Sequence, residues 1–231
     1  LQYGVSNNGA ILFYTIAVGL ATPTYDQTFA VNWTYLLNGT NDIAAKVKDN
    51  AGNTITSNKL FRVYKDNLPP SYSFLQLITA DVWYNTMPSW MAQGVSCSFS
   101  DQGYSQIATI QYSVLNSDGL SSYGVTSNVK KSQLSLALKV NWTTLTNGVN
   151  EVMVSVSDFA QNQTTSSVFF TVRKDIVSPS VLNNESSSFD VWYKESPDWL
   201  NHIDVDIFDT GGSRLKEIAY VITAGGQVTS S

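Results

Sequence analysis

The residue types that carry most enzyme chemistry are scarce in this chain. His202 is the only histidine and Cys97 the only cysteine, far apart in sequence. With one of each, no Ser-His-Asp or Cys-His arrangement can recur along the chain, and no His/Cys zinc set exists. The 18 acidic residues could in principle supply the carboxylate pair of a glycosidase, but most fall at turns or on the solvent-facing phase of alternating segments. No enzyme and no organic cofactor are expected. Calcium is the ligand with the most plausible donors. Asp198, Asp204, Asp206 and Asp209 crowd around one strand and turn, and Asp66 and Asp175 stand four residues before prolines. Calcium takes six to eight oxygens, and no dense Asp-x-Asp-x-Asp loop is present, so turn formation is the competing use of these carboxylates. Asn-x-Ser/Thr sequons mark Asn32, Asn38, Asn141, Asn162 and Asn184 as glycosylation candidates, although a chain rich in Asn and Thr also makes sequons by chance.

These residues are positioned by a stretch that the chain contains twice. Val31 recurs as Val140, Trp33 as Trp142, Leu36 as Leu145, Gly39 as Gly148, Asp49 as Asp158, Lys65 as Lys174 and Pro70 as Pro179, 109 residues on in every case. VWYNTMPSW from Val82 returns as VWYKESPDW from Val191 at the same offset, and Asp101 and Gly103 return as Asp209 and Gly211 at 108. A period of this length is a domain rather than a solenoid turn. The organisation is therefore 1–70, the C-terminal part of one unit; 71–178, a complete unit; and 179–231, the N-terminal part of a third. The partial units are expected to be completed by further stretches of the same polypeptide, which is the simpler case, or by a neighbouring copy pairing strand into sheet. Chain ends that fall mid-pattern, with no initiator Met and no signal peptide, read as a piece of a longer protein. No apolar run approaches the eighteen or so residues of a membrane span.

Within a unit the pattern is one of strands. Val95, Cys97 and Phe99 alternate with serines; Ile110, Tyr112 and Val114, Leu134, Leu136 and Leu138, and Val152, Val154 and Val156 repeat the device. The loops DQGYS (101–105) and DTGGS (209–213) read as turns in which Asp accepts local backbone bonds and Gly supplies positive φ. Turns every eight to fifteen residues and no helical period predict an all-β fold of tandem immunoglobulin-like β-sandwich domains. Trp33 and Trp142, at equivalent places, are expected to be buried core anchors. Cys97 is expected to serve as a small apolar core residue, because its counterpart is Val205.

The run Trp-x-x-Leu-x-Asn-Gly-x-Asn, then Asp-Asn-Ala-Gly-Asn, then Val-x-Lys-Asp-x-x-x-Pro, carried by Trp33, Leu36, Asn38, Gly39, Asp49, Ala51, Gly52, Asn53, Val63, Lys65, Asp66 and Pro70, resembles the Ig-like repeats of large archaeal and bacterial cell-surface proteins. The second copy departs at Gln161 and Ser178. The resemblance implies a structural segment of a surface-layer, adhesin-stalk or filament type of protein, with an adhesin segment binding a glycan or protein as the alternative. Composition agrees with an extracellular setting: charged residues are only 13%, about half the usual share. A net charge of −5 argues against nucleic acid, whose phosphates need a basic face. The expected partners are copies of the chain or neighbouring Ig-like domains.

Overall fold

A computed structural model describes residues 1–7, 9–57, 59–75, 81–184, 192–224 and 227–230. The first unit contributes β1 (Gln2–Asn7), β2 (Ala10–Thr15), β3 (Gly39–Lys48), β4 (Thr54–Thr56) and β5 (Phe61–Lys65). They form one antiparallel sheet, ordered β2-β1-β3-β4, with β5 also pairing β3. The complete unit follows as β6 (Ser71–Phe74), β7 (Trp83–Tyr84), the one-turn helix α1 (Ser89–Gln93), β8 (Val95–Ser100), β9 (Ile107–Asn116), β10 (Gly119–Lys131), β11 (Gln133–Leu138), β12 (Gly148–Asp158), β13 (Gln163–Thr165) and β14 (Phe170–Lys174). It has two sheets, β10-β9-β12-β14-β7 with β13 on β12, and β11-β8-β6. The last unit contributes the pairs β15 (Ser180–Asn183) with β16 (Val205–Phe208), and β17 (Ile222–Ala224) with β18 (Gln227–Ser230).

The sandwich forms because period-2 segments place their apolar residues on one face, and two such faces bury each other. Val95, Cys97 and Phe99 of β8 meet Ile110 and Val114 of β9, Val152, Val154 and Val156 of β12, and Val172 of β14 in one continuous core. Each of these side chains contributes about 1.5–3 kcal/mol by leaving water. Cys97 sits inside it, and burial pushes its thiol up to about 12, so it packs as an apolar residue.

The repeat read from the sequence is a repeat of strand pairing. In the complete unit Ser71 faces Ser100 and Phe74 faces Cys97. In the last unit Ser180 faces Phe208 and Asn183 faces Val205, the same register displaced by the repeat. The β3–β5 ladder (Gly39↔Lys65, Ile43↔Phe61) likewise matches β12–β14 (Gly148↔Lys174, Val152↔Phe170).

Trp33 and Trp142 depart from expectation. Trp33 is 54% exposed and Trp142 half-buried. Each opens a single 3-10 turn, Trp33–Tyr35 and Trp142–Thr144, rather than lying on a strand phase. It is the leucine three residues on, Leu36 or Leu145, that points inward, each 3% exposed. The tryptophan instead covers a lysine: the Lys174 ammonium lies 5.0 Å from the Trp142 ring centroid, and that of Lys65 lies 5.1 Å from Trp33. Trp142→Ala is therefore expected to cost about 1–2 kcal/mol rather than the 3–5 of a core aromatic. Denaturant unfolding checks this, and a loss above about 3 kcal/mol would contradict it.

Candidate functional site at the junction between units

Lys65 and Asp66, and again Lys174 and Asp175, divide the work of closing one unit and joining the next. The lysine faces back into its own unit. Lys174 Nζ donates to the carbonyls of Trp142 (3.1 Å) and Leu145 (2.7 Å), and Lys65 Nζ to those of Trp33 (3.1 Å) and Leu36 (2.8 Å). Each ammonium thus adds a second bond to the tryptophan carbonyl, which already accepts the N–H of the capping leucine, and satisfies that leucine's own carbonyl at the end of the turn. At the other end of the turn Asn32 and Asn141 act as caps, accepting from the backbone N–H of Thr34 (2.9 Å) and Thr143 (3.1 Å).

The aspartate faces the next unit. Asp66 Oδ2 accepts the Ser105 N–H at 2.9 Å, and its Oδ1 accepts that of Leu68 at 3.0 Å. The same contacts recur at the second junction, where Asp175 accepts from Ser213 (3.0 Å) and Val177 (3.0 Å). Both receiving loops are shaped by their own leading aspartate. Asp101 accepts from Gly103 and Gln106, and Asp209 accepts from Gly211 and Arg214. Of the three loop glycines only Gly212 supplies the positive φ expected of them. Positive φ falls on Tyr104 and Gln106, and at the repeat positions on Gly212 and Arg214. Gly103 and Gly211 instead let the carboxylate in. A Cβ on Gly103 would lie 1.9 Å from Asp66 Oδ1, and one on Gly211 would lie 1.7 Å from Asp175 Oδ1.

A third carboxylate completes the first junction. Oxygens of Asp66, Asp101 and Asp158 lie within 4.8 Å of one another, with Asp101 and Asp158 buried. Each of the six oxygens accepts one N–H; those of Asp158 take the backbone and side-chain N–H groups of Asn162, both at 2.8 Å. These donors offset the mutual repulsion of like charges. Asn162 Nδ2 also reaches Asp66 O at 3.2 Å, and Thr164 Oγ1 donates to Pro70 O. The complete unit therefore holds the linker at both its loop and its β13 side. Ser105 Oγ, buried next to this cluster, finds no partner among the described residues. A cavity of about 490 Å³ opens beside it, walled by Tyr64, Asp66, Tyr104, Ser105 and Phe159.

Of the calcium candidates, Asp66 enters this cluster, and Asp175 and Asp209 form the corresponding pair at the second junction. Asp198, Asp204 and Asp206 stay exposed and join no such group among the described residues. The sequence marks Asp101 only as a turn former and Asp158 only as the counterpart of Asp49. The signal that would have found them is the repeat itself, since Asp101 is the counterpart of the named Asp209. The sequons also divide. Asn32 and Asn141 are exposed, and Asn38 and Asn184 bond to Asn67 and Asp204. The Asn162 amide nitrogen is committed to the junction.

At the second junction the hydroxyl and N–H of Ser213 and the N–H of Val177 hold the Asp175 carboxyl below its ordinary value of 3.8. A depressed carboxylate contributes stability that is present above its unfolded value and lost as pH falls through its folded value. Acid titration is therefore expected to leave the Ser213 amide protected at pH 5 and above, and to expose it to exchange only below about pH 3.8. Exposure already at pH 5 would show that the carboxylate does not hold the loop.

No family model matches the chain. No curated protein matches it either. Among solved structures it is similar to one described as the crystal structure of a tetra-tandem repeat in the extending region of a large adhesion protein, at 18% identity over 80% of this chain and 44% of that one, with a TM-score of 0.38. The chain thus spans less than half the length of that solved chain. Among the described residues no helix is long and apolar enough to cross a membrane.

Proposed function

We infer that the chain is a structural segment of an extracellular cell-surface repeat protein, acting as a spacer or building block of a surface layer or filament rather than as an enzyme. The observation that carries this reading is the duplicated junction. Two successive linkers place Lys in one unit and Asp against the next, with the same atoms in equivalent positions of the repeat. A linker pinned at both sides and ending in proline restricts bending, which is what a spacer requires. Small-angle scattering of the 231-residue chain is expected to give one extended, narrowly distributed shape; a profile of freely hinged units would overturn the reading. Calcium belongs to the same reading, with Asp66, Asp101 and Asp158 as its protein ligands and solvent supplying the remainder of its six to eight oxygens. Adding calcium is expected to raise the thermal midpoint, and Asp66→Asn to remove the increment. No shift in either protein would leave the junction held by hydrogen bonds alone. Glycans, if carried, fit the exposed Asn32 and Asn141.

The adhesin alternative has one observation in its favour, the junction cavity with exposed Tyr64, Tyr104 and Phe159 around it. Aromatic faces beside carboxylate and hydroxyl groups suit a sugar ring. Saturable glycan binding that Tyr104→Ala abolishes would favour this alternative.

A further inference from the structure

The second junction is built against the shortest strand of the complete unit. β7 is two residues long, Trp83 and Tyr84, and stands at the edge of its sheet beside β14. Few ladder bonds and an edge position put it at the low-stability end of the unit. Two residues that hold it in place also face the following unit. Asp175 donates its backbone N–H to the Tyr84 carbonyl at 2.9 Å, while its buried carboxylate accepts the Ser213 N–H at 3.0 Å. Trp83 pairs with Arg173, whose guanidinium lies 5.8 Å from the ring centroid. The benzenoid edge of the same ring meets Gly212, where a Cβ would lie 3.0 Å from Cη2 and 3.3 Å from Cζ3. Tyr84 carries the connection inward: its ring meets Trp90 edge-on at 6.4 Å, and Trp90 meets Phe170 of β14 in the same way at 6.1 Å.

We propose that Trp83 and Asp175 together form an interaction surface for the 209–214 loop of the following unit, and that seating of this loop locks β7 onto β14. The two contacts share their atoms' positions. The N–H and the carboxylate of Asp175 belong to one residue, so a backbone displaced from Tyr84 carries the carboxylate away from Ser213. Trp83 likewise cannot leave Arg173 without leaving the Gly212 backbone it packs on. Gly212 and Gly211 are what let the loop come so close: side chains there would meet the indole ring and the carboxylate. Coupling of this kind is reciprocal. A seated loop steadies β7, and a β7 held on β14 presents the surface that seats the loop. Stability in the repeat then has a nearest-neighbour part, and an opening at the end of one unit loosens the loop of the next.

Amide exchange of the 231-residue chain tests this at two probes, the Ser213 N–H for the loop and the Asp175 N–H for β7. Arg173→Ala loosens Trp83 from within its own unit, since the side chain of Arg173 pairs with Asp81 and lies over Trp83. It is expected to speed Ser213 exchange about tenfold. Gly211→Ala drives out the Asp175 carboxylate, whose Oδ1 would lie 1.7 Å from the new Cβ. It is expected to speed Asp175 exchange by a comparable factor, because a coupling is the same read from either end. Val154, whose N–H donates to Ser166 Oγ at 2.8 Å, should exchange as in the wild type in both variants and so reports an intact unit. Unchanged Ser213 exchange in Arg173→Ala overturns the proposal, as does unchanged Asp175 exchange in Gly211→Ala. A rise at Val154 that matches the rise at the probes would trace it to global opening and overturn the proposal too. The proposal rests on the junction that the spacer reading invokes, and scattering separates the two. An extended shape with a Ser213 amide indifferent to Arg173→Ala would overturn the lock and leave the spacer standing.

Discussion

Asn150→Ala is expected to lower the stability of the complete unit by about 3–5 kcal/mol, more than truncation of its conspicuous tryptophan. Asn150 is fully buried just beyond the Asn147-Gly148 turn. Its Nδ2 donates to the Thr146 and Val172 carbonyls at 2.9 and 3.2 Å, and its Oδ1 accepts the Thr146 N–H at 3.1 Å and Asn116 Nδ2 at 3.2 Å. One side chain thus ties the turn to β14 and to the end of β9. Alanine would remove the partner of the buried Val172 carbonyl and of the part-buried Thr146 backbone groups, each loss costing about 1–3 kcal/mol. Asn41, its counterpart, is equally buried and bonds Leu37 and Gly39 in the same way. Denaturant unfolding of the 231-residue chain decides the matter. A loss under about 1 kcal/mol would mean that the turn holds without its asparagine.

Gly103→Ala is expected to open the first junction while leaving the fold of residues 71–178 intact. The added Cβ would overlap the Asp66 carboxylate, at 1.9 Å from Oδ1 and 2.5 Å from Cγ. Asp66 must withdraw and give up its bond to the Ser105 N–H, and with it the approach to Asp101 and Asp158. Charge-assisted bonds of this kind contribute about 1.5–3 kcal/mol each, so the junction should weaken by about 2–4 kcal/mol. That corresponds to a Ser105 amide exchanging roughly 30-fold faster or more. Gly119→Ala is the control. Its φ is +103° but nothing lies within 4 Å, so it carries only backbone strain of about 1–2 kcal/mol. Equal Ser105 exchange in the two variants would refute the role assigned to Gly103.

Much of this fold was legible because its signals are local and repeated. Val152, Val154 and Val156 announce a half-buried strand by spacing alone, and the offset between Val31 and Val140 gives the unit length. Trp142 departs from expectation because size does not decide burial: it opens a single 3-10 turn, and Leu145, the extended residue that caps the turn, goes inside while the ring lies over Lys174. Cys97 was read correctly through its counterpart Val205. The junction was half legible. Asp66, Asp175 and Asp209 stand out by position, whereas Asp101 and Asp158 join Asp66 only when the two sheets that carry β8 and β12 are packed on each other, a proximity that local sequence does not carry. The role of Gly103 was hidden for the same reason: its constraint comes from a residue of the preceding unit.

The short parallel contact of β7 with β14 has a consequence for load. Among the described pairings of the complete unit it alone joins parallel strands, with Trp83 opposite Arg173 and Tyr84 opposite Lys174. The Asp175 N–H extends it by donating to the Tyr84 carbonyl at 2.9 Å. Tension from the preceding unit meets the antiparallel β6–β8 pairing first and, once that is released, draws β7 and β14 in opposite senses along one axis. The two strands are therefore pulled in shear, and their bonds must fail together instead of unzipping one at a time. Arg173, paired with Asp81 and lying over the Trp83 ring at 5.8 Å, reinforces the same slip plane. Each repeat built this way would hold as a mechanical fuse, rigid up to a threshold pull and then yielding its stored length in one step.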